Sequence, residues 1–264
     1  MVPTTPRRAD IPQYGLGKII LVWCAAALPM GLLGWIVAPA LAADPARPGF
    51  ERLAVLTVGL AWQCAVVLFL VLREAGNLRW STLKTRLWLG QPVSPRTGVP
   101  SRRLWWWLIP LVAVTAVYQM KLGGYVGQFW TNLFPFLDEP PGWSLAGLLD
   151  SPEGRARMVG AWDILGLFVL SALFNTVIGE ELLFRGLLLP RMNGLFGRWD
   201  WVVNGLLFGF YHLHQPWGML SLGGLIFFSL PTRLFRCAWF GIVAHSGQSV
   251  FFILLILGLV LGLA

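Results

Sequence analysis

The sequence predicts an all-α membrane protein, a bundle of about seven transmembrane helices that forms one domain. Of the 264 residues, 56% are hydrophobic and only 12% are charged, about half the charged fraction of a soluble domain. Apolar runs of roughly 20 residues recur along the chain, which is the length that a helix needs to cross a bilayer. The alternation typical of membrane β-strands is absent, and helices satisfy their own backbone hydrogen bonds in lipid.

Seven apolar segments are the predicted spans: Ile19–Ala43, Leu53–Leu72, Leu104–Tyr118, Ala161–Ile178, Trp201–Leu213, Met219–Leu230 and Phe240–Leu263. The fifth and sixth are short for a full crossing, so we expect tilt, extension or shielding by neighbouring helices. The basic segment Glu74–Arg103 predicts a short interfacial helix followed by a Pro/Gly-rich linker at Gly90–Pro100. Several prolines and glycines in Gly123–Arg157 argue against a continuous helix there.

The distribution of basic residues predicts the orientation. Fifteen of the twenty Lys and Arg residues lie in residues 1–18, 73–103, 185–198 and 233–236, which alternate spans place on one side. Because basic loops favour the cytoplasm, the N-terminus is expected there. The net charge of +8 then reflects topology and anionic lipid headgroups, and no nucleic acid partner is expected. With no ER or Golgi sorting signal to read, we expect a multi-pass protein of a bacterial inner (plasma) membrane.

A candidate signal-peptide cleavage site and three cysteines lie in or beside the apolar segments. Basic residues precede the first run, and Ala40-Leu41-Ala42 resembles a signal-peptidase site, so removal of residues 1–42 stays open. The run of about 25 residues exceeds the usual apolar region of a signal peptide, which favours a retained span. The three cysteines lack zinc or redox spacing and are interpreted as packing residues: Cys24, Cys64 and Cys237.

Two glutamates and an arginine interrupt the apolar character after the fourth segment, in Gly179-Glu180-Glu181-Leu182-Leu183-Phe184-Arg185. Ionisable side chains at such a position are costly and commonly functional. On a helix, Glu181 and Arg185 are four residues apart in the order that favours an ion pair, whereas Glu180 points about 100° away. Glu180 would then be free to act as a general base. The alternative is a structural ion pair at the membrane boundary with both acids solvated.

Two of the three histidines follow in Phe208-Gly209-Phe210-Tyr211-His212-Leu213-His214. On a helix, His212 shares a face with Phe208, whereas His214 points about 200° away from His212. We therefore expect His212 to face a cavity and His214 to lie near water at the helix end. The alternative for His212 is a core histidine, although histidines within spans are often functional.

The third histidine opens the last apolar segment. His245 and Ser249 are four residues apart and share a helix face, with Gln248 nearby. The alternative is a polar helix–helix contact among small residues. One free carboxylate and two histidines from three spans are what activation of a water molecule requires. They could hold the water directly, or through a zinc ion bound by Glu180, His212 and His245.

Together these motifs resemble the CPBP family of CAAX-prenyl-protease-like and bacteriocin-processing intramembrane endopeptidases. Glu180-Glu181-x-x-x-Arg185, Phe208-x-x-x-His212 and then His245 with a polar residue four positions on follow the family's order and approximate spacing, over roughly residues 160–263. The resemblance implies that Glu180 activates water with His212, that His245 steadies an oxyanion or a metal, and that Glu181 and Arg185 support them. Members are described as metal-dependent and as glutamate-type, so zinc stays open.

The resemblance also implies an organisation and a substrate. Residues 1–150 form an N-terminal transmembrane and loop region, and residues 151–264 a CPBP-like catalytic helical core, within one membrane domain. The implied substrate is a membrane-anchored or lipidated peptide or protein that enters from the bilayer. Cleavage is expected near the cytoplasmic face, because Glu180 is close in sequence to the basic segment Gly186–Arg198.

One residue departs from the family pattern. Ser249 stands where the family usually has Asn or Asp, and a hydroxyl is a shorter donor than an amide. This departure favours an alternative, a non-catalytic bacteriocin-immunity-type or regulatory membrane protein on the same scaffold. A second alternative, an ion- or proton-coupled transporter, would use Glu180 and the histidines as a relay, but the chain shows no inverted repeat.

Overall fold

The computed structural model describes residues 11–41, 50–140, 143, 151–221 and 224–263. This part of the chain is predominantly helical and contains no β-strand, only one isolated bridge between Val93 and Pro100, so the all-α prediction is confirmed. The α-helices are α1 (Leu16–Leu41), α2 (Phe50–Ala75), α3 (Trp80–Arg86), α4 (Leu108–Lys121), α5 (Gly123–Leu133), α6 (Pro152–Met158), α7 (Trp162–Ala172), α8 (Leu189–Phe196), α9 (Asp200–Tyr211), α10 (Leu230–Phe235) and α11 (Trp239–Val260).

Four stretches of the described residues are long and apolar enough to cross a membrane: Leu16–Leu41, Phe50–Ala75, Trp162–Tyr211 and Trp239–Val260. The protein is therefore an integral membrane protein. The third stretch has 50 residues, far more than the ~20 of one crossing. Its chain reverses after α8 at Gly197, whose φ of +55° suits a residue without a Cβ, and α9 packs back on α8. The predicted count of seven crossings stays a prediction.

The segments between the long helices have the secondary structure that the sequence predicts. The predicted interfacial helix is α3, and the linker after it is irregular apart from the single bridge. In Gly123–Arg157, α5 ends at Leu133, a 3-10 turn spans Pro135–Leu137, and α6 begins at Pro152. The absence of one continuous helix is thus confirmed, although residues 141–142 and 144–150 lie outside the described part. The last residue of the signal-peptidase-like Ala40–Ala42 also lies outside it.

The core lies where α2 and α9 pack against two π-helical turns that continue α7, Leu173–Gly179 and Leu182–Leu188. Leu183, Phe184 and Leu187 of the second turn are fully buried. Helix α11 packs on α4, α7 and the first turn, and α1 packs on α2. The polar motifs therefore meet at the centre of the bundle.

The predicted basic loop Gly186–Arg198 is wrong, because the chain is helical as far as Phe196. Gly186 serves helix packing there, since a Cβ would lie 3.3 Å from the backbone oxygen of Leu87. Arg191, counted as a loop residue, is fully buried and paired with Glu74 at 2.7 Å. Glu180 thus lies well inside a long helical run. The sequence argument that placed Glu180 near the cytoplasmic face, its closeness to a basic loop, therefore no longer holds.

Candidate active site

The two glutamates lie between the two π-helical turns. Such turns are rare, form hydrogen bonds between residues five apart, and occur often at functional sites. Gly179 allows this geometry, because a Cβ at that position would collide with the backbone oxygen of Phe174 and lie 2.9 Å from that of Leu60 in α2. The backbone therefore approaches α2 closely just before Glu180.

The Glu180 carboxylate is 3% exposed and is held by two polar side chains. With its amide nitrogen facing the carboxylate, Asn175 donates to Oε1 at 3.2 Å and to Oε2 at 2.8 Å, an orientation assigned from the hydrogen-bond network. The Tyr211 hydroxyl also bonds to Glu180. Gln63 donates to the Tyr211 oxygen, which leaves the hydroxyl proton for Glu180. The carboxylate is thus fixed in place by donors.

Glu181 makes a separate set of contacts. Its Oε1 lies 3.3 Å from Arg185 Nη1 and 3.1 Å from His245 Nδ1. The Arg185 guanidinium lies 4.0 Å from the ring centroid of Phe208, and both charged side chains are fully buried. The predicted pair of Glu181 with Arg185 is confirmed, whereas the alternative of two solvated acids at the boundary is wrong. Glu180 and Glu181 face different partners, as the helix geometry predicts.

The first histidine follows directly after α9. His212 is 3% exposed, and its φ and ψ of −74° and 45° leave the helical region. Its Nδ1 lies 2.9 Å from the backbone oxygen of Phe208. Because that oxygen can only accept, Nδ1 carries the ring proton and Nε2 of the neutral ring is left as the acceptor. The same reasoning gives His245 a protonated Nδ1 facing Glu181.

One cavity of about 300 Å³ is lined by Glu180, His212, His245 and Ser249, together with Gln248. The structure therefore brings together a carboxylate and two histidines from three separate parts of the chain, as the motifs predict. A larger cavity of about 600 Å³, between α4, α5 and α9, has an almost wholly apolar lining without carboxylate or imidazole groups. The polar side chains of the three motifs accordingly line the smaller cavity.

His214 corrects a sequence-based expectation. It was expected near water and away from His212, yet it is 4% exposed, lines the same cavity, and has its ring centroid 5.5 Å from that of His212. The prediction is wrong because α9 ends at Tyr211, so the helical angle between the two histidines does not apply. His212 itself does not face lipid.

The side chains of Glu180, His212 and His245 are of the types that bind zinc, two imidazoles and a carboxylate. Among the described residues, no three His, Cys, Asp or Glu side chains are grouped as metal ligands. No chemical step is therefore routed through a metal here. Zinc binding by Glu180, His212 and His245 stays a prediction.

Sequence reasoning missed three residues of this site: Asn175, Tyr211 and Gln63. Each is a polar group within an apolar helix, and Asn175 precedes Glu180 by five residues. That spacing places two side chains on different faces of an α-helix, and only the π-helical turn brings them together. Polar residues inside the predicted spans were the signal that could have found them.

Comparison with known families agrees with the motifs. Residues 161–264 match the family model described as type II CAAX prenyl endopeptidase Rce1-like. No curated protein and no solved structure gives a significant match to the chain. The family match covers every residue of the three motifs, from Glu180 to Ser249, and confirms the resemblance that they predicted. Residues 161–264 are therefore similar to the type II CAAX prenyl endopeptidases of the Rce1-like, CPBP family.

Proposed function

We propose that this protein is an intramembrane endopeptidase that hydrolyses a peptide bond of a membrane-associated substrate. One observation carries the proposal: a carboxylate fixed by donors and two histidines with oriented rings, Glu180, His212 and His245, line a single cavity in a membrane-embedded bundle. A general base within reach of a bound water is the first requirement for hydrolysis.

In the proposed reaction, a water molecule lies between Glu180 and Nε2 of His212. Glu180 takes one proton from the water, and the hydroxide adds to the carbonyl carbon of the scissile bond. When the C–N bond breaks, protonated Glu180 returns the proton to the amine nitrogen. Water and peptide are consumed, an acid and an amine are formed, and Glu180 ends as it began. Asn175 and Tyr211 hold the carboxylate in position throughout.

His245 is the proposed donor to the oxyanion. Its Nδ1 faces Glu181, which orients the ring as a carboxylate orients a catalytic histidine. A proton on Nε2 would then be donated to the oxyanion. Ser249 lines the same cavity one helical turn along α11 and would supply a second, weaker donor.

The proposed substrate is a membrane-anchored or lipidated peptide or protein that reaches the cavity from the bilayer. The family description names CAAX prenyl substrates, and no residue of this cavity selects a prenylated peptide over another membrane peptide. Location in a bacterial inner membrane, with an N-terminus in the cytoplasm, is part of the same proposal.

The second candidate is a non-catalytic, immunity-type or regulatory protein on the same scaffold. Ser249 favours it, because the loss of one oxyanion donor can lower a rate by about 10²–10³-fold. This candidate predicts that the buried polar residues maintain the fold and that no peptide is cleaved.

The deciding experiment is cleavage of fluorogenic membrane peptides by the purified protein in liposomes. Glu180→Gln should reduce hydrolysis by at least about 10²-fold, the lower range for a general base, whereas Glu153→Gln, at an exposed carboxylate of α6, should change nothing. A chelator followed by added zinc tests the metal in the same assay. Wild-type protein that cleaves none of the peptides, with or without zinc, would favour the non-catalytic candidate.

A further inference from the structure

The segment that follows α9 is held by the first two long helices, α1 and α2. Trp35 Nε1 donates to the backbone oxygen of Leu213 at 2.7 Å, and Arg52 Nη2 donates to that of His214 at 2.6 Å. Gly34 leaves room for the segment, since a Cβ there would lie 2.8 Å from the Cβ of His214. The position of the His214 side chain is therefore determined by α1 and α2, which lie outside the matched family region.

The His214 ring is buried but lacks a partner at one nitrogen. Its Nδ1 is inaccessible to solvent and has no hydrogen-bond partner among the described residues. A neutral imidazole always offers one donor and one acceptor, and burying either of them unpaired is unfavourable. Burial, together with the neighbouring His212 and Arg52, lowers the pKa of His214, so the ring acts as a neutral donor and acceptor. Because the ring lines the cavity, a polar group that enters the cavity can become its partner.

The distance from the reaction centre indicates which group this is. The ring centroid of His214 lies 5.5 Å from that of His212, and an extended peptide advances about 3.3 Å per residue. A substrate whose scissile bond lies beside His212 would therefore present a backbone amide one or two residues away to His214. Gln215 lines the cavity beside it and offers a second amide-binding side chain.

On the basis of the proposed function, we propose that His214 is a substrate-binding residue, which hydrogen-bonds the backbone of the peptide one or two residues from the scissile bond. It is a fourth functional side chain of the cavity besides Glu180, His212 and His245. Its role is binding of an extended peptide segment, not proton transfer to the reacting atoms.

A pair of substitutions separates this role from packing. His214→Gln keeps a donor and an acceptor, whereas His214→Phe keeps a buried ring but no hydrogen bond. We expect kcat/KM for a fluorogenic membrane peptide to fall by about tenfold or more in His214→Phe and to stay within about threefold of wild type in His214→Gln. Trp35→Phe, which removes only an anchor of the segment, shows how much displacement of the backbone contributes.

Binding is measured separately in Glu180→Gln protein, where the peptide stays intact. Adding His214→Phe should weaken peptide binding by a similar factor, and adding His214→Gln should not. Equal activity and binding in both His214 variants would overturn the inference while leaving the endopeptidase proposal intact. Loss in His214→Gln but not in His214→Phe would show a packing role and would also overturn it. Wild-type protein that binds the peptide without cleaving it would instead contradict the proposed function.

Discussion

His245 Nδ1 lies 3.1 Å from Glu181 Oε1, so the second glutamate of the pair, not the first, orients this histidine. The same oxygen lies 3.3 Å from Arg185 Nη1. Glu181 therefore joins α11 to the second π-helical turn, whereas Glu180 is left to face the cavity. The two adjacent acids have different physical roles because their side chains leave the helix in different directions.

The first prediction concerns this buried pair. Arg185→Ala would leave Glu181 without its guanidinium partner in the bundle, which should cost about 3–5 kcal/mol of folding free energy. We expect less folded protein as well as lower activity, measured by size-exclusion chromatography and thermal unfolding in detergent. The double variant Glu181→Gln/Arg185→Met removes both charges and should recover folded protein without recovering activity. Normal folding of Arg185→Ala would contradict the assignment of this pair as structural support.

The second prediction concerns Asn175. Asn175→Leu keeps the approximate volume but removes the donors that hold both oxygens of Glu180, so peptide hydrolysis should fall by about 10–10²-fold, less than for loss of the base itself. Thr115→Val in α4, which removes only a hydroxyl bonded to its own helix, serves as the control. Unchanged turnover in Asn175→Leu would mean that Glu180 is positioned by Tyr211 alone.

The third prediction tests the close approach of α11 to the glutamate pair. A Cβ at Gly241 would collide with Glu181 Oε2 and lie 3.1 Å from Arg185 Cγ, whereas a Cβ at Gly247 would meet only Val112 at 3.8 Å. Gly241→Ala should therefore destabilise the protein by about 1–3 kcal/mol and displace His245 from Glu181. Gly247→Ala in the same helix should be neutral or slightly stabilising. Thermal unfolding of the two variants measures this difference in stability. Equal melting temperatures would rule out the close contact at Gly241.

The fourth prediction concerns Ser249. If its hydroxyl is a weaker version of the family's amide donor, Ser249→Asn should raise turnover and Ser249→Ala should lower it, because donors to an oxyanion act mainly on the transition state. The change should appear in kcat more than in KM. A chain in which neither substitution alters hydrolysis, or which hydrolyses nothing, would point to the non-catalytic candidate.

The sequence by itself determined the fold class and most of the residues of the site. The composition and the lengths of the apolar runs predicted a helical membrane protein, because crossing a bilayer imposes a length and a polarity that few soluble chains share. The spacing of Glu181 and Arg185 predicted their ion pair, since residues four apart are neighbours on a helix. Three motifs in the right order predicted a family and the convergence of Glu180, His212 and His245.

Only the tertiary structure decided what departs from ideal helix geometry. Asn175 reaches Glu180 because a π-helical turn changes the angle between residues five apart, and His214 enters the cavity because α9 ends at Tyr211. Charge counting placed Arg191 in a loop, whereas pairing with Glu74 buries it. Predictions from spacing assume a regular helix, and predictions from charge assume that a charged side chain is solvated. Contacts between distant segments, such as Gly34 with His214 and Gly179 with Leu60, determine where the helices bend and end.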